Sequence, residues 1–224
     1  MFTREKIERI LEKAREIDSK YEMFGAKAHQ YRLNPPVPEE FVRDVEEKCG
    51  FTLPADYRRF ITQVGDGGAG PCYGVEPFRD FWKRGYFQEN RLAEWYRQGY
   101  RQGLARPFSV RPMEPEEVER YGFSREGYQE HPERYFVWAE QEDENNKRWS
   151  TEGFFLLGTE GCQWDFGLIL NGKKRGWIFT TDNEGAFALD AHSFNEFYSR
   201  YLEQLADTKA FRERLEWWRG RFQR

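Results

Sequence analysis

The stretch from Val37 to Val75, VPEEFVRDVEEKCGFTLPADYRRFITQVGDGGAGPCYGV, limits the fold more than any other part of the chain. Pro38 and Pro54 stand where helices begin, a position proline tolerates because the first helical N–H has no intrahelical acceptor. Gly50 and Gly65 follow the helical runs, where a left-handed closing residue is wanted. Between them Phe41, Val42, Val45 and Cys49, and then Tyr57, Phe60, Ile61 and Val64, recur at three- and four-residue spacing. The spacing predicts helices over Glu39–Cys49 and Ala55–Val64, a glycine-rich turn, and a short strand over Pro71–Val75. The turn, Gly65 to Gly70, matches the pattern G-x-G-x-x-G, but a helix precedes it and Pro71 follows. A pyrophosphate site needs a strand before the glycines and a helix N-terminus after them, so these glycines are read as a tight turn.

The flanks follow the same logic. Ile7, Ile10, Leu11, Ala14, Ile17, Tyr21 and Phe24 share one stripe and predict a helix over Phe2–Phe24. Residues 77–152 are rich in aromatic residues and arginine. Within them Asn90–Gln98 and Pro115–Tyr121 are expected to be helical, and Tyr135–Ala139 a strand or a helix. From Gly153 to Leu189 the pattern is an antiparallel meander with strands at Phe154–Leu157, Trp164–Leu170, Gly176–Thr181 and Ala186–Leu189. Asn171-Gly172 marks a hairpin that Lys173 and Lys174 lengthen. Ser193 and Glu196 form a capping box ahead of a helix. A tail follows with Phe211, Leu215, Trp218 and Phe222 inward and Arg212, Arg214, Arg219 and Arg221 outward. The expected class is α+β: a twisted antiparallel sheet of about four to six strands flanked by helices.

With 224 residues, the chain suits one enlarged domain. Its 20 Phe, 12 Tyr and 8 Trp compensate for a modest apolar share, because each ring buries a large area. The net charge of −4 weighs against non-specific nucleic-acid binding and suits a basic partner. No run of eighteen or more apolar residues predicts a membrane span, and the charged N-terminus shows no secretory signal core. Cys49, Cys72 and Cys162 are odd in number and far apart, so they are read as reduced thiols of a cytoplasmic protein.

Glu46, Gly50, Leu53, Pro54, Asp56, Tyr57, Phe60, Gly67 and Gly68 resemble the N-terminal signature of the SMI1/KNR4 (SUKH) superfamily: helix, Leu-Pro-x-Asp-Tyr, aromatic turn of helix, Gly-Gly. Gly161, Gly167, Gly176 and Trp177 are similar, more loosely, to its C-terminal part. The resemblance divides a single domain into a family core at 37–76 and 153–206, an N-terminal helical extension at 1–36, an insertion at 77–152 and a helical tail at 207–224. It implies a binding role. Many bacterial members are immunity proteins that neutralise toxins, often nucleases, while fungal members are regulatory scaffolds.

The residues themselves offer little chemistry. His29, His131 and His192 lie far apart and form no H-E-x-x-H pair, and no nucleophile elbow or P-loop is present. The best catalytic trio is Asp165, Asp182 and His192. The expectation is therefore a binding protein with no cofactor and no metal, its partner a cognate toxin such as a basic nuclease domain. A regulatory scaffold is the alternative, and a hydrolase a weaker one. Candidate contacts are Asp66, Tyr73 and Glu76 at the glycine turn, Glu142, Asp143 and Glu144 in the acidic loop, and Asp165, Asp182 and Glu184 on sheet turns.

Overall fold

A computed structural model describes residues 3–83, 103–138, 153–162, 164–181 and 185–222. Six strands, β1 (Val110–Pro112), β2 (Tyr135–Trp138), β3 (Phe154–Gly161), β4 (Trp164–Ile169), β5 (Ile178–Thr181) and β6 (Ala186–Ala191), form a sheet in the order β1-β2-β6-β5-β4-β3. Every pairing is antiparallel. The α+β class and strand number agree with the sequence reading. Residues 103–138, read as part of an insertion, supply β1 and β2, which extend the meander beyond β6.

The helices are α1 (Arg4–Ile17), α2 (Ala26–His29), α3 (Glu39–Cys49), α4 (Ala55–Arg59), α5 (Arg125–Glu130), α6 (Phe194–Ala206) and α7 (Thr208–Phe222). They bury one face of the sheet: Phe155, Leu157, Phe166, Leu168 and Ile178 share a core with Ile7, Leu11, Tyr57, Ile61, Phe194 and Phe211. The opposite face is buried too. Phe136, Phe154, Ile169, Phe179, Phe187 and Leu189 form a second cluster with Phe108 and Val110 packed against it. Burial on both faces accounts for the run Phe154-Phe155-Leu156-Leu157, where a half-solvated strand would alternate. No helix among the described residues is long and apolar enough to cross a membrane.

Several predicted elements differ in extent. The first helix stops at Ile17 because the Asp18 carboxylate, with no exposed surface, accepts from the Glu22 and Met23 N–H groups at 2.8 and 3.0 Å and from the Tyr31 hydroxyl at 2.8 Å. An aspartate that satisfies the backbone in this way competes with continued helix. The second core helix changes pitch after Arg59. Residues Phe60–Val64 form a π turn closed by Gly65 N–H to the Phe60 carbonyl, and the Ile61 carbonyl serves Val37 instead. Pro71–Val75 is not a strand: Val75 pairs back on Gly68 in an isolated bridge. Pro115–Tyr121 is a series of turns, held by the bidentate pair of Arg111 with Glu117 at 2.7 and 2.8 Å. The helix expected at Asn90–Gln98 lies outside the described residues. At the capping box, the Ser193 hydroxyl accepts from Glu196 N–H at 3.0 Å, and the Glu196 carboxylate reaches the His192 N–H at 3.0 Å.

Candidate interaction surface

The glycine turn is a closed knot of backbone. Gly68 and Val75 exchange N–H···O bonds of 2.7 and 2.9 Å, Ala69 N–H reaches the Arg32 carbonyl at 2.7 Å, and Gly67 N–H bonds Gly65. These N–H groups are spent inside the turn and form no open cradle for a phosphate. At Gly74, with φ of 94°, a Cβ would fall 2.4 Å from the Gly68 carbonyl oxygen. At Gly25, with φ of 73°, it would fall 1.9 Å from that of Cys72. Only glycine permits approaches this close in a left-handed conformation. The second of them draws the Phe24–Gly25 corner onto the turn.

Two polar groups, the buried Asp66 and the half-buried His29, pin the turn to its surroundings. Asp66 has no exposed surface. Its carboxylate accepts from Phe78 N–H at 2.6 Å, Arg79 N–H at 3.1 Å and Arg79 Nε at 2.8 Å. The expectation that Asp66 contacts a partner is therefore corrected: it is an internal clamp, and its signal as an exposed turn residue was misleading because its acceptors are all filled from within. His29 Nδ1 accepts from Tyr31 N–H at 3.0 Å. The ring also bonds the Cys72 backbone, a contact that favours protonation, whereas burial disfavours it more and lowers the imidazole pKa to about 4. His29 is accordingly a neutral imidazole held between Tyr31 N–H and the Cys72 backbone.

What the knot presents to solvent is Tyr73. Its ring lies edge-on to Phe24, with centroids 5.1 Å apart. Phe24 meets Trp218 at 5.2 Å, and Trp218 meets Trp217 at 6.3 Å. Helix α7 supplies the two tryptophans while burying Phe211 and Leu215. Among the described residues the exposed large hydrophobic side chains are Tyr73, 44 % exposed, and Trp217, 57 % exposed, and they terminate this one strip of four rings. Gly161, at the end of β3, lies beneath Tyr73 and Phe24.

Charge is divided along the strip. At the Trp217 end Arg221 stands over the indole at 5.0 Å, and Arg219 pairs with Glu22 at 2.6 Å. At the Tyr73 end stands Glu160, half-buried, whose carboxyl is pushed up by burial and then by the nearby Asp190 and Asp165 charges. Burial first, and Glu160 second, likewise push the Cys72 thiol up to about 11, so this thiol is held protonated.

Of the other predicted contacts, Glu76 is exposed and its N–H donates to the Leu157 carbonyl at 2.7 Å, which ties the turn to β3. Asp165 is half-buried on β4 opposite Thr159. Glu142, Asp143, Glu144, Asp182 and Glu184 lie outside the described residues. The described members of the catalytic trio do not meet. Asp165 is level with Thr181 and Phe187, so His192 lies five residues further along β6, an offset of about 16 Å. His192 instead packs edge-on to Trp177 at 4.3 Å and faces Glu196 at 3.5 Å. No cluster of three histidine, cysteine or acidic side chains among the described residues is arranged to hold a metal. An open groove of about 470 Å³ lined by Arg43, Glu47, Phe51, Thr52 and Asn171 is a second concavity, but its buried acid, Glu46, is already satisfied by Leu53 N–H and Arg58.

Sequence reasoning missed Phe24, Trp217 and Glu160. Trp217 did leave a signal, as a large aromatic off the Phe211–Leu215–Trp218 stripe. Phe24 and Glu160 join the site only through tertiary approach. No protein-family model matches this chain, no curated protein is significantly similar to it, and no solved structure matches it significantly.

Proposed function

We propose that this chain is a non-catalytic binding protein of the SMI1/KNR4 (SUKH) kind, which neutralises a cognate protein toxin by docking through the Tyr73–Phe24–Trp218–Trp217 strip. The observation that carries the reading is that, among the described residues, the exposed large aromatics Tyr73 and Trp217 fall at the two ends of one continuous strip of rings. Exposed rings held by their neighbours lose little freedom on binding, and such anchors supply roughly 2–4 kcal/mol each at the centre of interfaces. The resemblance in the Leu53–Gly68 region supplies the immunity role. The free thiols Cys49, Cys72 and Cys162 suit the reducing cytoplasm this role requires.

The test is co-expression with the protein encoded beside this chain's gene. The account predicts a one-to-one complex and relief of that protein's toxicity, both lost in a Tyr73→Ala, Trp217→Ala double variant that still folds. Failure of every neighbouring gene product to bind overturns the immunity reading, and weak binding to many unrelated proteins replaces it with a scaffold.

A further inference from the structure

We infer that the partner delivers a basic side chain, arginine or lysine, to the Tyr73 end of the strip, where its apolar stem lies along Tyr73 and its charge meets Glu160. This rests on the docking reading above and adds the chemistry of what is docked.

Three observations lead there. Glu160 is half-buried on β3 next to Gly161, the residue on which Tyr73 rests. Among the described residues no cation and no hydrogen-bond donor serves its carboxylate, whereas its neighbour Asp190 is paired with Arg200 at 3.1 Å. A half-buried carboxylate without a cation, beside other carboxylates, is electrostatically incomplete, as its raised pKa reflects. Second, the ring beside it is exposed, and a guanidinium or ammonium gains both from the ring face and from the carboxylate. Third, the strip is polarised. Arg221 stands over Trp217 at the far end, whereas Arg219 is neutralised by Glu22, so the charge that repels a basic segment there is that of Arg221, and the segment is directed to Tyr73.

The chemistry fits both basic side chains, and their planar or point-like charges separate them. The probe is therefore N-ethylguanidinium, with n-butylammonium and propionate in parallel, followed by amide and side-chain NMR of the uniformly labelled protein. The expected result is a saturable shift confined to Cys72, Tyr73, Glu160, Gly161 and Cys162 with either cation and none with propionate. Glu160→Gln should weaken it at least fivefold, and Tyr73→Ala likewise. Glu160→Gln removes a repelled charge and should fold at least as well as the parent, which its thermal midpoint verifies. No saturable shift at these residues, or equal binding by Glu160→Gln, overturns the inference. The two readings separate cleanly. A neighbour-encoded partner that binds the parent and Glu160→Gln equally leaves the docking reading standing and removes the basic side chain. If no neighbour-encoded partner binds, the toxin reading falls, while the guanidinium titration still decides the site.

Discussion

His29 should make the stability of this protein fall steeply between neutral pH and pH 4.5. Its imidazole is held between Tyr31 N–H and the Cys72 backbone, where burial lowers its pKa from 6.5 to about 4. The unfolded chain therefore takes up the proton first as the pH drops. The stabilisation is complete above about pH 6.5 and is lost progressively down to the folded-state pKa. With these two values the linkage integral between pH 7 and pH 4.5 is about 2.4 kcal/mol, within a ceiling near 3.4 kcal/mol for the full shift. That is a large share of the ~5–15 kcal/mol that holds a typical domain together. Glu160 acts in the opposite sense, because its raised pKa means that protonation relieves the folded state at low pH. The comparison must therefore be between the parent and His29→Gln, which retains a donor and an acceptor but does not titrate. Urea unfolding followed by tryptophan fluorescence across this range should show a steep acid loss in the parent and a curve about 2 kcal/mol flatter in His29→Gln. Parallel curves would refute the assignment of His29 as a half-buried neutral cross-link.

Asp66→Ala should cost about 3–5 kcal/mol in chemical denaturation, because it strands the Phe78 and Arg79 N–H groups and the Arg79 guanidinium; a loss below 1 kcal/mol would show that the clamp is dispensable. Tyr201→Phe should raise stability by up to about 1 kcal/mol, since its buried hydroxyl has no hydrogen-bond partner among the described residues. A destabilised Tyr201→Phe protein would contradict that reading.

The parts of the fold readable from the chain are those set by local rules. Glu39–Cys49 was bounded correctly because Pro38 and Gly50 punctuate it, with Gly50 in the left-handed conformation at φ of 69°. The meander was legible because aromatic pairs alternate with polar turns, and the lengthened Asn171 loop is closed by Arg175 N–H to Gly172 and Gly176 N–H to Ile169. Long-range bonds overrode local pattern elsewhere. Asp18 ends α1 through Tyr31, thirteen residues away in sequence, although Tyr21 and Phe24 continue the helical stripe. Asp66 read as a surface turn residue because nothing near it in sequence announces Phe78 and Arg79 as donors. At the candidate surface, Tyr73 was legible as an aromatic in a glycine-rich turn. Its companions Phe24, Trp217 and Glu160 come from three other elements, and the Gly25–Cys72 and Gly161–Tyr73 approaches and the Phe24–Trp218 contact bring them together.

The most direct measurement is a hydrogen–deuterium exchange footprint of the protein alone and in complex with its neighbour-encoded partner. The account predicts slowed exchange in the Phe24–Gly25 corner, in 72–75, in 160–162 and along 214–219 of α7. Protection that instead falls on the groove around Arg43, Phe51 and Asn171, with the Tyr73–Trp217 strip unchanged, would contradict it.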